Sequence, residues 1–319
     1  MNEKQELWKS LLGFLALIAV LTGAPYLLNN IYYLNVLRDV IFWVALSVSW
    51  YLFSGLTKYV ALGSAAFFGL GLYFTAKVLN YWPVLPFPVV VILAGLLNFT
   101  IALAVGLISL RLKGIYFAIV TFGIAEIVKV IFDWWEIRIT GTLGTYLPIF
   151  SDITTYYSIL TTSLTSLVLV TLLRRSKFGL ALRMIGESEE TAAHTGVNTS
   201  LYKTIGFAIS AACIGLVGAS CITISPYTNT RIAFGSRYSF YPAVMTLLGG
   251  AGTPYGPVIG ASALSLINEY LSVAFPQVFQ IILGALLIII VLVMPNGIMG
   301  IVEKFKTLGS REGEKKKED

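Results

Sequence analysis

RRSKFGLALRMIGESEETAAHTGVNTSLYK, residues 174–203, is a polar island set between long apolar runs. The flanking stretches, 157–173 and 204–224, are each long enough to cross about 30 Å of hydrocarbon. The island therefore reads as a surface feature of a membrane-embedded chain. Within it Glu187, Glu189 and Glu190 are placed at the start of a short helix, where the macrodipole favours acids. Gly196 supplies a left-handed stop. The expected element is one docking helix, built from Gly186, Glu187, Ser188, Glu189, Glu190, Thr191, Ala192, Ala193 and His194 and closed by Gly196. Small Ala192 and Ala193 are expected to lie against a partner's groove, with the acids meeting basic side chains there. The competing reading is a helix lying on the bilayer. It fits less well, because such helices carry basic polar faces and this one begins acidic.

Working outward, 57% of the 319 residues are hydrophobic and only 12% are charged, too apolar for a soluble domain. An open sheet edge cannot face lipid, so the fold class is all-α and polytopic. The whole chain, 1–319, reads as a single transmembrane domain with a polar loop at 174–203 and a polar tail at 296–319. Crossings are expected near 11–28, 36–54, 60–79, 87–109, 114–135, 157–173, 204–224, 239–252, 256–274 and 278–295. The eighth is short and is interrupted by GGAGTPYGP. Ten crossings is the expected count, with eight or nine the alternatives.

Loop charge orients these spans. With the N-terminus inside, sixteen of the 22 basic residues fall on the inner side and five outside, Lys129 lying within a span. Both termini and the island are thus expected in the cytoplasm, and the chain in the cell membrane. Lys4 and Lys9 ahead of an apolar run also suit a signal peptide with a small-residue site at Thr22-Gly23-Ala24. The length of the run favours an uncleaved first span. The formal charge of +6 is spread over loops and tail, which argues against a nucleic-acid partner. The mixed-sign tail reads as a solvated end, with attraction to membrane lipid the lesser reading.

Glu126, Lys129 and Asp133 share one face of the fifth span by their three- and four-residue spacing. Charge at that depth must face protein or water, so the trio is either a satisfied packing pair or part of a pathway. Gly252, Gly256 and Gly260 recur every four residues; where the stretch is helical, Gly256 and Gly260 share a face and let another backbone approach closely. Helix packing is the favoured reading there and a pathway wall the sharper one. Cys213 and Cys221, about 12 Å apart along one helix, lie beyond disulfide reach. With a single His194 they leave no zinc site of His and Cys ligands, and no metal is expected. No Gly-Lys dipeptide occurs, so no Walker A phosphate loop is present. No catalytic residues and no cofactor are expected.

Five segments together resemble the branched-chain amino-acid permeases of bacterial and archaeal ABC importers, of the LivM type. They are ALGSAAFFGLGLY at 61–73, RLKGIYFAIVTFGIAEI at 111–127, FGLALRMIGESEETAAHTGVN in the island, LLGGAGTPYGPVIGA at 247–261 and LVMPNGIMG at 292–300. The chain departs from the usual pattern at Tyr59, Ala61 and Ser64, where members often carry Gln, Ser and His. It departs again at Gly186 and Ala193, where they often carry Arg and Glu. The resemblance implies eight to ten helices and a second permease of the LivH type. It also implies two ATPase subunits, which would hydrolyse ATP outside this chain, and an extracytoplasmic substrate-binding protein. Leucine, isoleucine and valine are the implied substrates, with urea or short amides the alternative. A secondary transporter driven by ions is the alternative from another class, and it would need no docking helix.

Overall fold

The computed structural model describes residues 19–27, 30–141, 144–278, 281–282, 284–285 and 297–300. Eleven labelled helices follow one another: α1 (Ile31–Thr57), α2 (Ser64–Tyr81), α3 (Phe87–Ser109), α4 (Ile115–Trp135), α5 (Asp152–Arg175), α6 (Lys177–Glu187), α7 (Glu189–His194), α8 (Thr199–Ser220), α9 (Thr230–Ala233), α10 (Arg237–Gly249) and α11 (Gly256–Ala274). A π-helical turn, Glu136–Thr140, prolongs α4, and a 3₁₀ turn, Cys221–Thr223, prolongs α8. Two short strands, β1 (Thr145–Tyr146) and β2 (Tyr227–Thr228), pair antiparallel at the end of the bundle away from the island. The helical stretch at 19–27 is tied to α5, because the hydroxyls of Tyr156 and Tyr157 donate to the Leu21 and Thr22 carbonyls at 2.7 Å. The all-α architecture is the one expected.

Five described helices are long and apolar enough to cross a membrane: α1, α3, α4 with its π turn, α5, and α8 with its 3₁₀ turn. Beside them run α2 and α11, of 18 and 19 residues. The expectation of ten crossings is not reproduced in full. Half of the first expected span and most of the tenth lie outside the described residues. The eighth becomes α10, whose 13 residues reach only about 20 Å.

That shortness has a structural cause. Glu126 lies about 18 Å along α4 from Gly114, and Ser236, just before α10, donates to it at 3.2 Å. Two turns further along α4, Asp133 accepts from Thr230 at the start of α9. The chain after β2 therefore descends along α4 before α10 begins. Irregular backbone at membrane depth is tolerated where protein covers it. From there α10 runs only the remaining distance to the island end, where Arg174 of α5 donates to the Gly252 carbonyl at 2.8 Å.

The centre of the bundle is the pair α1 and α8. The first packs chiefly on α5, α8 and α11, the second on α3 and α2. Small residues let backbones meet. A Cβ added at Gly218 would strike the Phe68 carbonyl oxygen, and one at Gly71 the Gly215 carbonyl oxygen, so α2 and α8 touch directly. Toward the island, Phe53, Phe67 and Phe117 surround Phe207, with ring centroids 5.4–6.0 Å from it. Each such aromatic contact adds about 0.5–1.5 kcal/mol beyond its burial.

Candidate functional site

The island is two helices, not one. Ser176 ends α5 and caps α6, its hydroxyl accepting from the Gly179 amide at 3.3 Å. The amphipathic α6 then buries Gly179, Ala181, Leu182 and Ile185 and packs on α1 and α8. Glycine is required at 186 because a Cβ there would collide with the Leu56 carbonyl at the end of α1. Ser188 serves both helices: its amide donates to Met184 O at 3.0 Å, closing α6, and its hydroxyl accepts from the Thr191 amide at 3.3 Å, opening α7. Glu189 and Glu190 do lie in the first turn of α7, where acids suit the dipole. Glu187 does not. It is the last residue of α6, because Ser188 competes for the backbone there and divides the segment. Gly196 follows α7 at φ +86°, the left-handed stop that its position calls for.

Glu189 anchors α7 to Tyr59 and to α8, and through Lys203 to the end of α3. Its carboxylate accepts from Lys203 Nζ at 2.6 Å and from the Tyr59 hydroxyl at 2.5 Å. Lys203, on α8, is only 3% exposed and also donates to the Leu110 carbonyl after α3 at 3.4 Å. Its ammonium stands 4.8 Å over the Tyr59 ring. Burial alone would raise the Glu189 carboxyl, yet the hydrogen bonds from Lys203 and Tyr59 outweigh it and hold the group below its ordinary value of 4.5. In the sequence Lys203 is only the island's last residue and Tyr59 a departure from the family pattern. Neither residue's spacing signals their meeting. The second ion pair of the island, Lys58 with Glu187 at 3.1 Å, is exposed on both sides and contributes little.

The docking expectation requires one correction. Ala192 is 1% exposed, packed inside its own chain on the same side as Glu189, so it cannot line a partner's groove. The open face of α7 consists of Glu190, Thr191, Ala193 and His194, with Glu187 and Ser188 before it and Gly196 beyond.

The other expected residues separate into distinct places. Lys129 Nζ meets Glu126 Oε2 at 3.4 Å, both side chains half-buried, while Ser236 covers the other Glu126 oxygen. Nearby lies an acid that motif and spacing do not single out. Glu136, 1% exposed in the π turn, accepts from the Tyr73 hydroxyl at 2.7 Å and the Gly144 amide at 3.1 Å. Its position beside Trp134 and Trp135 is the one signal the sequence holds. Gly256 and Gly260 sit against the backbone of Gly249, Gly250 and Met245, which brings α10 and α11 into direct contact. Gly252 stands apart from them in the intervening turn with open space around it, because the helix begins only at Gly256. Cys213 and Cys221 are free and buried.

With this geometry in place, comparison with known proteins assigns the family. Residues 32–291 match the family of branched-chain amino acid transport system permease components, and the chain belongs to it. It is 24% identical to the high-affinity branched-chain amino acid transport system permease protein LivM of Salmonella typhimurium, over 91% of this chain and 75% of the relative. Against LivM of Escherichia coli it is 26% identical, over 77% of this chain and 64% of the relative. Against the permease protein LivH of Salmonella typhimurium it is 32% identical over 47% and 49% of the two chains. No solved structure matches it. The resemblance read from the five motifs is borne out.

Proposed function

We propose, from membership of this family, that the chain is one of two membrane permeases in an ATP-driven importer of leucine, isoleucine and valine. Its partners are a second permease of the LivH type, two ATPase subunits that hydrolyse ATP, and an extracytoplasmic protein that delivers the substrate. In this reading both termini and the island face the cytoplasm of a cell membrane, in line with the loop-charge asymmetry. The open face of α7 docks in a groove of one ATPase subunit. The observation that carries the reading is the division of α7 into two faces. Glu190, Thr191, Ala193 and His194 point outward, while Glu189 and Ala192 are built into the bundle.

That division makes α7 a lever. Displacement of its outer face by an ATPase subunit passes through Glu189 to Lys203 on α8, to Tyr59 between α1 and α2, and to the end of α3. These are the elements that meet at the centre of the bundle, so a push at the island reaches the packing that separates one access state from the other. The test is Ala193→Trp, a bulky change on the open face. Membrane insertion should be unchanged, while co-purification with the ATPase and uptake of radiolabelled leucine should both be lost. Normal association and normal uptake would sink the docking assignment. Uptake of labelled urea in preference to leucine by the assembled wild type would overturn the substrate.

A further inference from the structure

We propose that the open pocket lined by Arg174, Arg175, Arg183, Thr253 and Tyr255 binds the phosphate of an anionic phospholipid headgroup. The cavity holds about 430 Å³, with Thr171 and Pro254 completing its wall. Arg174 and Arg175 form the last turn of α5, a helix of 24 residues that is apolar enough to cross the membrane. They therefore stand at the membrane–water boundary whichever way the chain is oriented. Arg183 enters from α6, and Thr253 and Tyr255 from the turn before α11. Two consecutive helices and a turn far along the chain thus bring donors to one cavity.

Among the described residues no acid pairs with this positive charge, since none of the four ion pairs involves these arginines. Arg174 donates to Gly252 O at 2.8 Å and Arg183 to Arg174 O at 3.3 Å, which leaves most of the five donors on each guanidinium free. The Arg175 guanidinium makes no hydrogen bond among the described residues. The Thr253 hydroxyl oxygen is buried with no partner there either. The N-terminus of the 19-residue α11 opens at Tyr255 and adds the positive end of its dipole. Basic residues at the end of α5 would by themselves be explained as complements to that helix's own dipole. That explanation extends to Arg183, which donates to a terminal carbonyl of α5, but it does not account for the unpartnered Thr253.

Guanidinium forks match phosphate oxygens in pairs, and a hydroxyl adds a third donor. Position selects the source: a pocket at the boundary meets headgroups before it meets solutes, and basic pockets between membrane helices take anionic headgroups. A bound headgroup would join the α5–α6 corner to the α10–α11 turn. Free phosphate presents the same oxygens, so the test separates the two sources.

The full-length protein, purified in detergent, is titrated with phosphatidylglycerol or phosphatidylcholine and followed by native mass spectrometry. One phosphatidylglycerol should be retained about tenfold more tightly than phosphatidylcholine, on the order expected for a few basic residues near a headgroup. Arg175→Gln and Arg183→Gln should each remove most of that preference. Lys177→Gln, an equal loss of charge outside the cavity, should leave it unchanged. Because the Arg175 guanidinium makes no hydrogen bond among the described residues, Arg175→Gln should keep the wild-type melting temperature in phosphatidylcholine. An unchanged preference in Arg175→Gln/Arg183→Gln would overturn the site, as would an equal loss in Lys177→Gln. Displacement of the lipid by millimolar inorganic phosphate would assign the pocket to soluble anions and overturn the lipid.

Discussion

Helices α4 and α8 are indistinguishable by hydropathy and opposite in fate. With their terminal turns each is 25 residues long, and an 18-residue stretch of each has a mean hydropathy of 2.1, yet 78% of that stretch is buried in the protein in α8 against 22% in α4. Hydropathy reports whether a segment tolerates hydrocarbon, not whether lipid or protein supplies it. What separates the two is the size of the side chains. Buried along α8 are Gly206, Ala208, Ala211, Gly215, Gly218 and Ala219, so neighbouring backbones close in and dispersion contacts accumulate. Along α4, Ile115, Ile119, Ile127, Val130 and Ile131 remain exposed, a face suited to lipid tails. On its charged side, Glu126 and Asp133 meet the descending segment after β2 instead.

The comparison breaks first at its glycines. Gly218→Leu on α8 places a side chain where the Phe68 carbonyl lies, and backbone cannot move aside as a rotamer can. We expect destabilisation of at least about 3 kcal/mol, the upper range of overpacking, and loss of monodisperse protein on size exclusion. Gly123→Leu on α4, where a Cβ meets nothing within 4 Å, should be neutral or slightly stabilising through helix propensity. Equal losses at the two sites would remove the size argument.

A second contrast uses the lysines. Lys203→Met on α8 strands the Glu189 carboxylate, whose side chain is 20% exposed, and should cost about 2–3 kcal/mol, somewhat less than a fully buried broken pair. Lys129→Met on α4 breaks a half-exposed pair and should cost less than about 1 kcal/mol. Denaturant-induced unfolding in detergent measures both, and a reversed order would show that the network at Tyr59 does not depend on its cation.

Acid sharpens the same difference. The Glu189 carboxyl is held below its ordinary value of 4.5 in the folded protein. Its contribution is therefore complete above about pH 4.5 and disappears as the pH falls through the lowered folded value. Wild-type stability should decline along that acid limb more steeply than Glu189→Gln stability. Parallel curves would mean that the carboxylate gains nothing from Lys203 and Tyr59. The smallest effect is expected at Ile119→Ala, on the exposed face of α4. Its unfolding free energy should change by no more than a surface substitution changes it, about 0.5 kcal/mol. A loss of core size, about 2–5 kcal/mol, would show that this face is covered within the chain.

The island illustrates which features are legible in the amino-acid order. Its polarity between two apolar runs marks a surface feature at 174–203, and Gly196 announces the end of its second helix, since both signals act within a few residues. Ser188 is a visible cap as well, but its second role, closing α6, depends on where Lys177–Glu187 can pack. The inward turn of Ala192 follows from the same docking. A helical wheel assigns no inside to a six-residue helix until its neighbours are present.

The amino-acid sequence by itself determined the all-α membrane class, the family, the position of the polar island and the common face of Glu126, Lys129 and Asp133. Each of these rests on composition, on motifs or on a helical period read along a continuous stretch. Tertiary structure alone decided that α8 is central and α4 peripheral, and that α10 begins inside the bundle. It also decided that Glu189 meets Tyr59 and Lys203, of which Tyr59 lies 130 residues away. Such meetings depend on which helices lie side by side, and that choice is made by backbone approach at small residues and by burial of charge. Both are properties of pairs of segments, whereas hydropathy and periodicity belong to one segment at a time.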